Sequence, residues 1–171
     1  YPVYERKIGN VKLEVKNLKQ GKKLNIDHLE VRAGEILGIS GLVGSGRTET
    51  ARCIFGADKA DSIEVYIDGK KVEIKSVEDA VKHGIGYVTE DRKFDGLALD
   101  LDVNYNTNMA HLKHLSKFGF LDDKAGRENS LHYKEQLRIK TPTIKERVRN
   151  LSGGNQQKVV LAKWLSNNVD I

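Results

Sequence analysis

Val11, Leu13 and Val15 alternate with Lys12, Glu14 and Lys16, the two-residue period of a half-buried strand. Gly21 marks a turn, and Leu24 to Val31 reads as a second strand. After the turn Arg32-Ala33-Gly34-Glu35, the run Ile36 to Ser40 is apolar on both faces, as a buried parallel strand is. A glycine-rich loop follows, and Thr48 to Phe55 reads as a helix with Gly56 at its C-terminal cap. Ser62 to Ile67 and Lys71 to Ile74 flank Asp68-Gly69, a hairpin signal. Ser76 is placed to cap a helix from Val77 to His83, closed by Gly84, and Ile85 to Thr89 reads as another short strand.

The period then changes. From Val103 to Arg149 the pattern is helical and more polar, with a helix starting at Asp122-Asp123 and running to about Leu137. Thr141-Pro142-Thr143 breaks it. Ser152 to Asn167 reads as a last helix, with Val159, Val160, Leu161, Ala162, Trp164 and Leu165 for its buried face. Neither an internal repeat nor a low-complexity segment interrupts this order.

Composition narrows the class. With 171 residues, 39% hydrophobic and 31% charged, the chain has the size and balance of one globular domain. No stretch approaches the roughly 20 apolar residues that span a bilayer. The start, Tyr1-Pro2-Val3-Tyr4, has neither a signal-peptide core nor an initiating Met, and reads as part of a longer chain. Cys53 is the one cysteine, which fits a reducing compartment and a small core residue. The net charge of +5 is dispersed over Lys19 to Lys23, Lys70-Lys71 and Lys145 to Arg149. Only 6% of residues are aromatic, and they do not interleave with these groups, which argues against a nucleic-acid stacking platform. His111 and His114 have helical spacing but no identifiable third ligand, so they read as a solvated face.

Two short stretches bear the chemistry. Gly41-Leu42-Val43-Gly44-Ser45-Gly46-Arg47-Thr48-Glu49 nearly fits a phosphate-binding loop, with Arg47 at the lysine position. The glycines free the backbone so that successive N–H groups can cradle phosphate at a helix N-terminus. The Thr48 hydroxyl is placed to hold Mg²⁺. Arginine is longer and forked where lysine is a point charge, so nucleotide binding is expected to persist and hydrolysis at this loop to be poor. The second stretch, Leu151-Ser152-Gly153-Gly154-Asn155-Gln156, opens a helix with a capping serine and two glycines that allow close approach of a phosphate.

In this order and spacing the motifs resemble the nucleotide-binding domain of ATP-binding-cassette transporters. More closely, the chain is similar to the second, C-terminal cassette of the tandem ATPases of bacterial ribose-, xylose- and galactose-type sugar importers. Arg47-Thr48-Glu49 and the run Gly86-Tyr87-Val88-Thr89-Glu90-Asp91-Arg92-Lys93 bear that closer likeness. Leu151 to Gln156 resembles the signature motif, with Asn155 where most cassettes have Gln. The resemblance implies an α/β fold, a P-loop NTPase of ABC type, made of an antiparallel β subdomain, a partial RecA-like core and a helical subdomain. Residues 1–10 then correspond to a linker between cassettes, 11–171 to a partial nucleotide-binding domain, and about 97–150 to its helical subdomain.

The resemblance also implies ATP and Mg²⁺, and a head-to-tail sandwich with a first cassette of the same polypeptide. Ser152, Gly153 and Gly154 would cap the γ-phosphate of ATP bound there. Transmembrane permease subunits would meet the Val103 to Arg149 segment and the Glu90 loop, and a periplasmic or extracellular sugar-binding protein would act indirectly. The implied place is the cytoplasmic face of the membrane, with no nucleic acid partner.

Glu90 stands at the Q-loop position, the catalytic candidate, where the family has Gln. No aromatic residue for adenine lies in 17–24. The family continues past Ile171 with an apolar strand ending in Asp-Glu, so the chain alone is expected to be hydrolytically inactive, to leave apolar surface uncovered and to self-associate. The alternative is a soluble ABC ATPase acting on nucleic acid. A P-loop kinase or GTPase has no need of the glycine-opened helix, and the GTPase pattern Asn-Lys-x-Asp is missing.

Overall fold

The computed structural model describes residues 7–117 and 119–171; of the linker expected at 1–10, residues 1–6 lie outside them. The chain divides into two compact units, one running to Gly86 and taking in Ile171, the other Tyr87–Asp170.

The first unit is built on a four-stranded antiparallel sheet in the order β2-β1-β3-β4. These strands are β1 (Val11–Gln20), β2 (Leu24–Arg32), β3 (Ser62–Ile67) and β4 (Lys70–Val72). The alternation in β1 does place Leu13 and Val15 inward. It then breaks at Asn17, whose φ is +53°, and the register against β3 slips between Lys16 and Lys19. The bulge rephases the strand so that Leu18 also turns inward. Leu13, Val15, Leu18, Leu24 and Val65 form one core with Cys53 and Ile54. The last two come from α1 (Arg47–Ile54), which the sequence places one residue later. Asp68 and Gly69, both with positive φ, make the tight turn between β3 and β4. Ser76 accepts from the Asp79 amide and starts α2 (Val77–Lys82), as its position predicts.

Two predicted strands do not form. Ile36 to Ser40 has no ladder partner among the described residues, and Ile36 is 73% exposed. A strand exists only by pairing, and apolar character cannot substitute for a neighbour. Ile85 to Thr89 is likewise irregular. One trace of parallel pairing remains: the Ile171 N–H donates to Gly84 O (3.1 Å) and the Gly86 N–H to Ile171 O (2.8 Å). Leu42 and Val43 are also exposed, so a band of uncovered apolar surface runs from Ile36 through the glycine loop.

The second unit opens on a one-turn π-helix, Arg92–Gly96, which the sequence did not announce. Asp91 starts it by accepting from the Lys93 and Phe94 amides. Then follow α3 (Val103–Asn108), a two-residue hairpin of β5 (Ser116–Lys117) and β6 (Phe120–Leu121), α4 (Asp123–Gln136), a 3-10 turn and α5 (Gly153–Leu165). The hairpin corrects the reading of 103–149 as purely helical. Asp122 caps α4 through the Ala125 amide. A polar cluster joins α3 to α4: Asn108 Nδ2 donates to Ser130 Oγ (2.8 Å) and to Gly126 O (2.9 Å).

Helix α5 buries Val159, Val160, Ala162 and Trp164 as predicted, while Leu161 and Leu165 are exposed. Gln156 and Lys163 take their places on the inner face. Both have partners there: Gln156 Nε2 donates to Val148 O (3.1 Å) and Lys163 Nζ to Gly96 O (2.8 Å). The His111 and His114 rings stack at 4.7 Å, with His111 partly buried and bonded to Asn167. Among the described residues no helix is long and apolar enough to cross a membrane.

Candidate functional site

Gly41 to Glu49 forms one continuous loop and first helical turn. Gly46 is the N-cap of α1 at φ +89°, and a Cβ there would lie 2.4 Å from Leu24 Cδ2. Only glycine meets both demands. With glycine at the cap, α1 has no side-chain cap. The amides that open a helix, at the positive end of its dipole, favour an anion. Ser45 folds over Gly41, and its amide donates to Leu42 O (3.1 Å), which curls the loop. The Arg47 side chain is exposed. Glu49 lies 3.9 Å from Lys23 Nζ. Thr50 Oγ1 donates to Gly46 O (2.7 Å), pinning the turn behind the loop.

The second motif lies in the other unit. Leu151 is buried, and Ser152, Gly153 and Gly154 are exposed at the start of α5. Ser152 occupies the N-cap position, yet its side chain makes no capping bond, contrary to its expected role. Asn155 engages it instead. Its Oδ1 accepts from the Lys140 amide (2.9 Å), which fixes the side-chain orientation, and its Nδ2 then donates to Ser152 Oγ (3.0 Å). The serine hydroxyl is thus held by an acceptor bond, with its proton left to donate. The amides at this helix end again lack a side-chain cap.

Glu90 is exposed and immediately precedes the N-cap Asp91 of the π-helix. That turn meets α5 twice. Arg92 lies against Gly153, and Lys163 holds the Gly96 carbonyl. Lys163 is 7% exposed, and burial pushes its ammonium below the usual lysine range. Sequence reasoning missed both contacts. Lys163 had a signal, since it stands four residues after Val159 and three after Val160, on the inward stripe. The Arg92 contact had none. Cys53 is buried, and its thiol is pushed upward chiefly by that burial.

Residues 24–171 match the family model described as ABC transporter.

The chain belongs to the ABC transporter family.

Its relatives include a ribose import ATP-binding protein of Rubrobacter xylanophilus, 50% identical over 96% of this chain and 33% of that protein. A xylose import ATP-binding protein of Thermoanaerobacter pseudethanolicus is 49% identical, again over 96% of this chain and 34% of its own length. The chain therefore spans about a third of these relatives. Among solved structures, a nucleotide-free ATP-binding cassette of an ABC transporter superposes with a TM-score of 0.76 at 21% identity, covering 93% of this chain and 66% of that one. A cassette in its ADP conformation gives 0.71 at 20% identity over the same shares. The predicted fold class, an ABC-type P-loop nucleotide-binding domain, is thereby established.

Proposed function

We propose that this chain is the nucleotide-binding part of a sugar-importer ATPase, and specifically its second, C-terminal cassette. The likeness, near 50%, to ribose and xylose import ATP-binding proteins is the observation that supports this best. In this reading the protein works at the cytoplasmic face of the membrane with permease subunits, and a sugar-binding protein delivers the carbohydrate. A first cassette precedes it on the same polypeptide, and the catalytic strand lies beyond Ile171.

The loop amides from Gly41 to Glu49 hold the ATP phosphates, with Arg47 as their cation. Mg²⁺ bound with ATP would neutralise phosphate charge, and the Thr48 hydroxyl would help to hold it. Ser152, with its proton held ready by Asn155, and the amides of Gly153 and Gly154 close on the γ-phosphate bound to the facing cassette. Glu90, at the Q-loop position, is the catalytic candidate of this chain. The two sites are asymmetric: this signature completes the hydrolytic one, and the Arg47 loop retains nucleotide without rapid turnover.

Ser152→Arg in the complete transporter fills the signature end with a long cation. Steady-state ATP turnover is expected to fall at least about 100-fold, the loss of oriented donors at a phosphoryl-transfer site. Turnover that survives this change refutes the signature role.

A further inference from the structure

Arg92 occupies an unusual place for a cation. A Cβ built on Gly153 would lie 2.7 Å from Arg92 Nη2 and 3.7 Å from Cζ, so the guanidinium rests directly on the first residue of α5. That helix end already bears the positive pole of its peptide dipoles, where a cation is disfavoured. Ser152, at its N-cap, makes no capping bond, and its Oγ accepts from Asn155. Arg92 Nε is buried and has no hydrogen-bond partner among the described residues. The helix end without a side-chain cap and the Nη2 edge of the guanidinium therefore meet at one spot, and both suit an oxyanion.

The arginine is also braced. Asp91 fixes the start of its turn through the Lys93 and Phe94 amides, and Lys163 grips the far end at Gly96 O (2.8 Å). A turn held at both ends fixes the backbone from which the arginine rises, and stabilising charge in a transition state requires such preorganised support. The two signature glycines then have different reasons. Gly153 leaves room for Arg92, whereas a Cβ on Gly154 meets nothing within 4 Å.

We propose that Arg92 is a phosphate-contacting residue of the signature site, its guanidinium binding the terminal phosphate of a nucleoside triphosphate presented to the N-terminus of α5. This rests on the signature role of Ser152 to Gly154 given above and adds to it a cation from outside the motif. The planar fork supplies paired donors to phosphate oxygens, which a lysine copies only as a point charge.

The test compares Arg92→Met, Arg92→Lys and Ser152→Arg in the complete transporter. Arg92→Met keeps the alkyl stem over Gly153 and removes the charge. It is expected to lower kcat/KM for ATP about 10- to 100-fold, the scale of a lost charged hydrogen bond. It should also abolish vanadate-dependent nucleotide retention and leave the nucleotide-free melting temperature unchanged. Arg92→Lys should recover part of both losses.

If Arg92→Met turns over and retains nucleotide normally while Ser152→Arg is inactive, Arg92 makes no phosphate contact and the signature reading stands. If Ser152→Arg is also active, the signature reading itself falls and takes the proposal with it. A lower nucleotide-free melting temperature with retention intact assigns Arg92 a packing role and overturns the proposal.

Discussion

Asn155 links the Lys140 amide to the Ser152 hydroxyl, and replacing it by Asp separates its part in the fold from its part at a ligand. An aspartate retains the acceptor for the Lys140 amide. It also places a negative charge in the first turn of α5, which the helix dipole favours. Stability should therefore hold within about 0.5–1 kcal/mol, seen as an unchanged denaturation midpoint. The second carboxylate oxygen, however, faces Ser152 as an acceptor. The serine must turn its proton toward it, away from any phosphate. ATP turnover by the complete transporter should fall while stability does not, and parallel loss of both contradicts this account. Nothing in the motif's spacing reveals this device. Ser152 reads as a cap because serine caps helices in general, and only the Lys140 segment, brought in by tertiary folding, shows that Asn155 has claimed it.

At the scale of elements, the sheet of the first unit has a titratable seam. Glu64 on β3 accepts from Lys71 Nζ on β4 (2.9 Å), Asn17 Nδ2 on β1 (3.0 Å) and Tyr66 Oη (2.9 Å). These bonds, Lys71 first, hold its carboxyl down from 4.5 to about 2. The folded value lies below the unfolded one, so the stabilisation is complete above pH 4.5 and is lost as pH falls through about 2. Glu64→Gln should melt below the natural protein at neutral pH, and the gap should close between pH 4.5 and 2. A gap that is constant with pH sinks the assignment. Elements that are locally determined were legible in the sequence: β1 and β2 by their period, α2 and α4 by Ser76 and Asp122, the β3–β4 turn by Asp68-Gly69. Elements that depend on distant partners were not. Ile36 to Ser40 has the composition of a strand without a neighbour, and the π-turn at Arg92–Gly96 is held by a lysine 67 positions away in sequence.

For the whole molecule, the sequence places each glycine-rich run at the start of a helix, and α1 and α5 do open there, because the geometry of each run is local. Arg47 sets the prediction at this scale. Arginine and lysine both reach phosphate, so Arg47→Lys should shift ATP affinity at this loop by less than about tenfold, with and without Mg²⁺. In single-turnover labelling of the complete transporter, nucleotide at this loop should remain ATP while the partner site is hydrolysed. If every ATP is cleaved at the Arg47 loop, the asymmetry is wrong.

The two hydrogen bonds of Ile171 to Gly84 and Gly86 have a kinetic meaning. They join points between which the entire Tyr87–Asp170 unit intervenes. As a disordered segment, that stretch makes the closure entropically expensive; once condensed, its ends are already confined and the closure becomes short-range. Folding should therefore run inside-out, with the intervening unit acquiring structure before Ile171 reaches Ile85. Changes that slow the α3–α4–α5 packing, such as Ser130→Ala in the Asn108 cluster, should delay protection of the Gly86 amide in refolding hydrogen exchange.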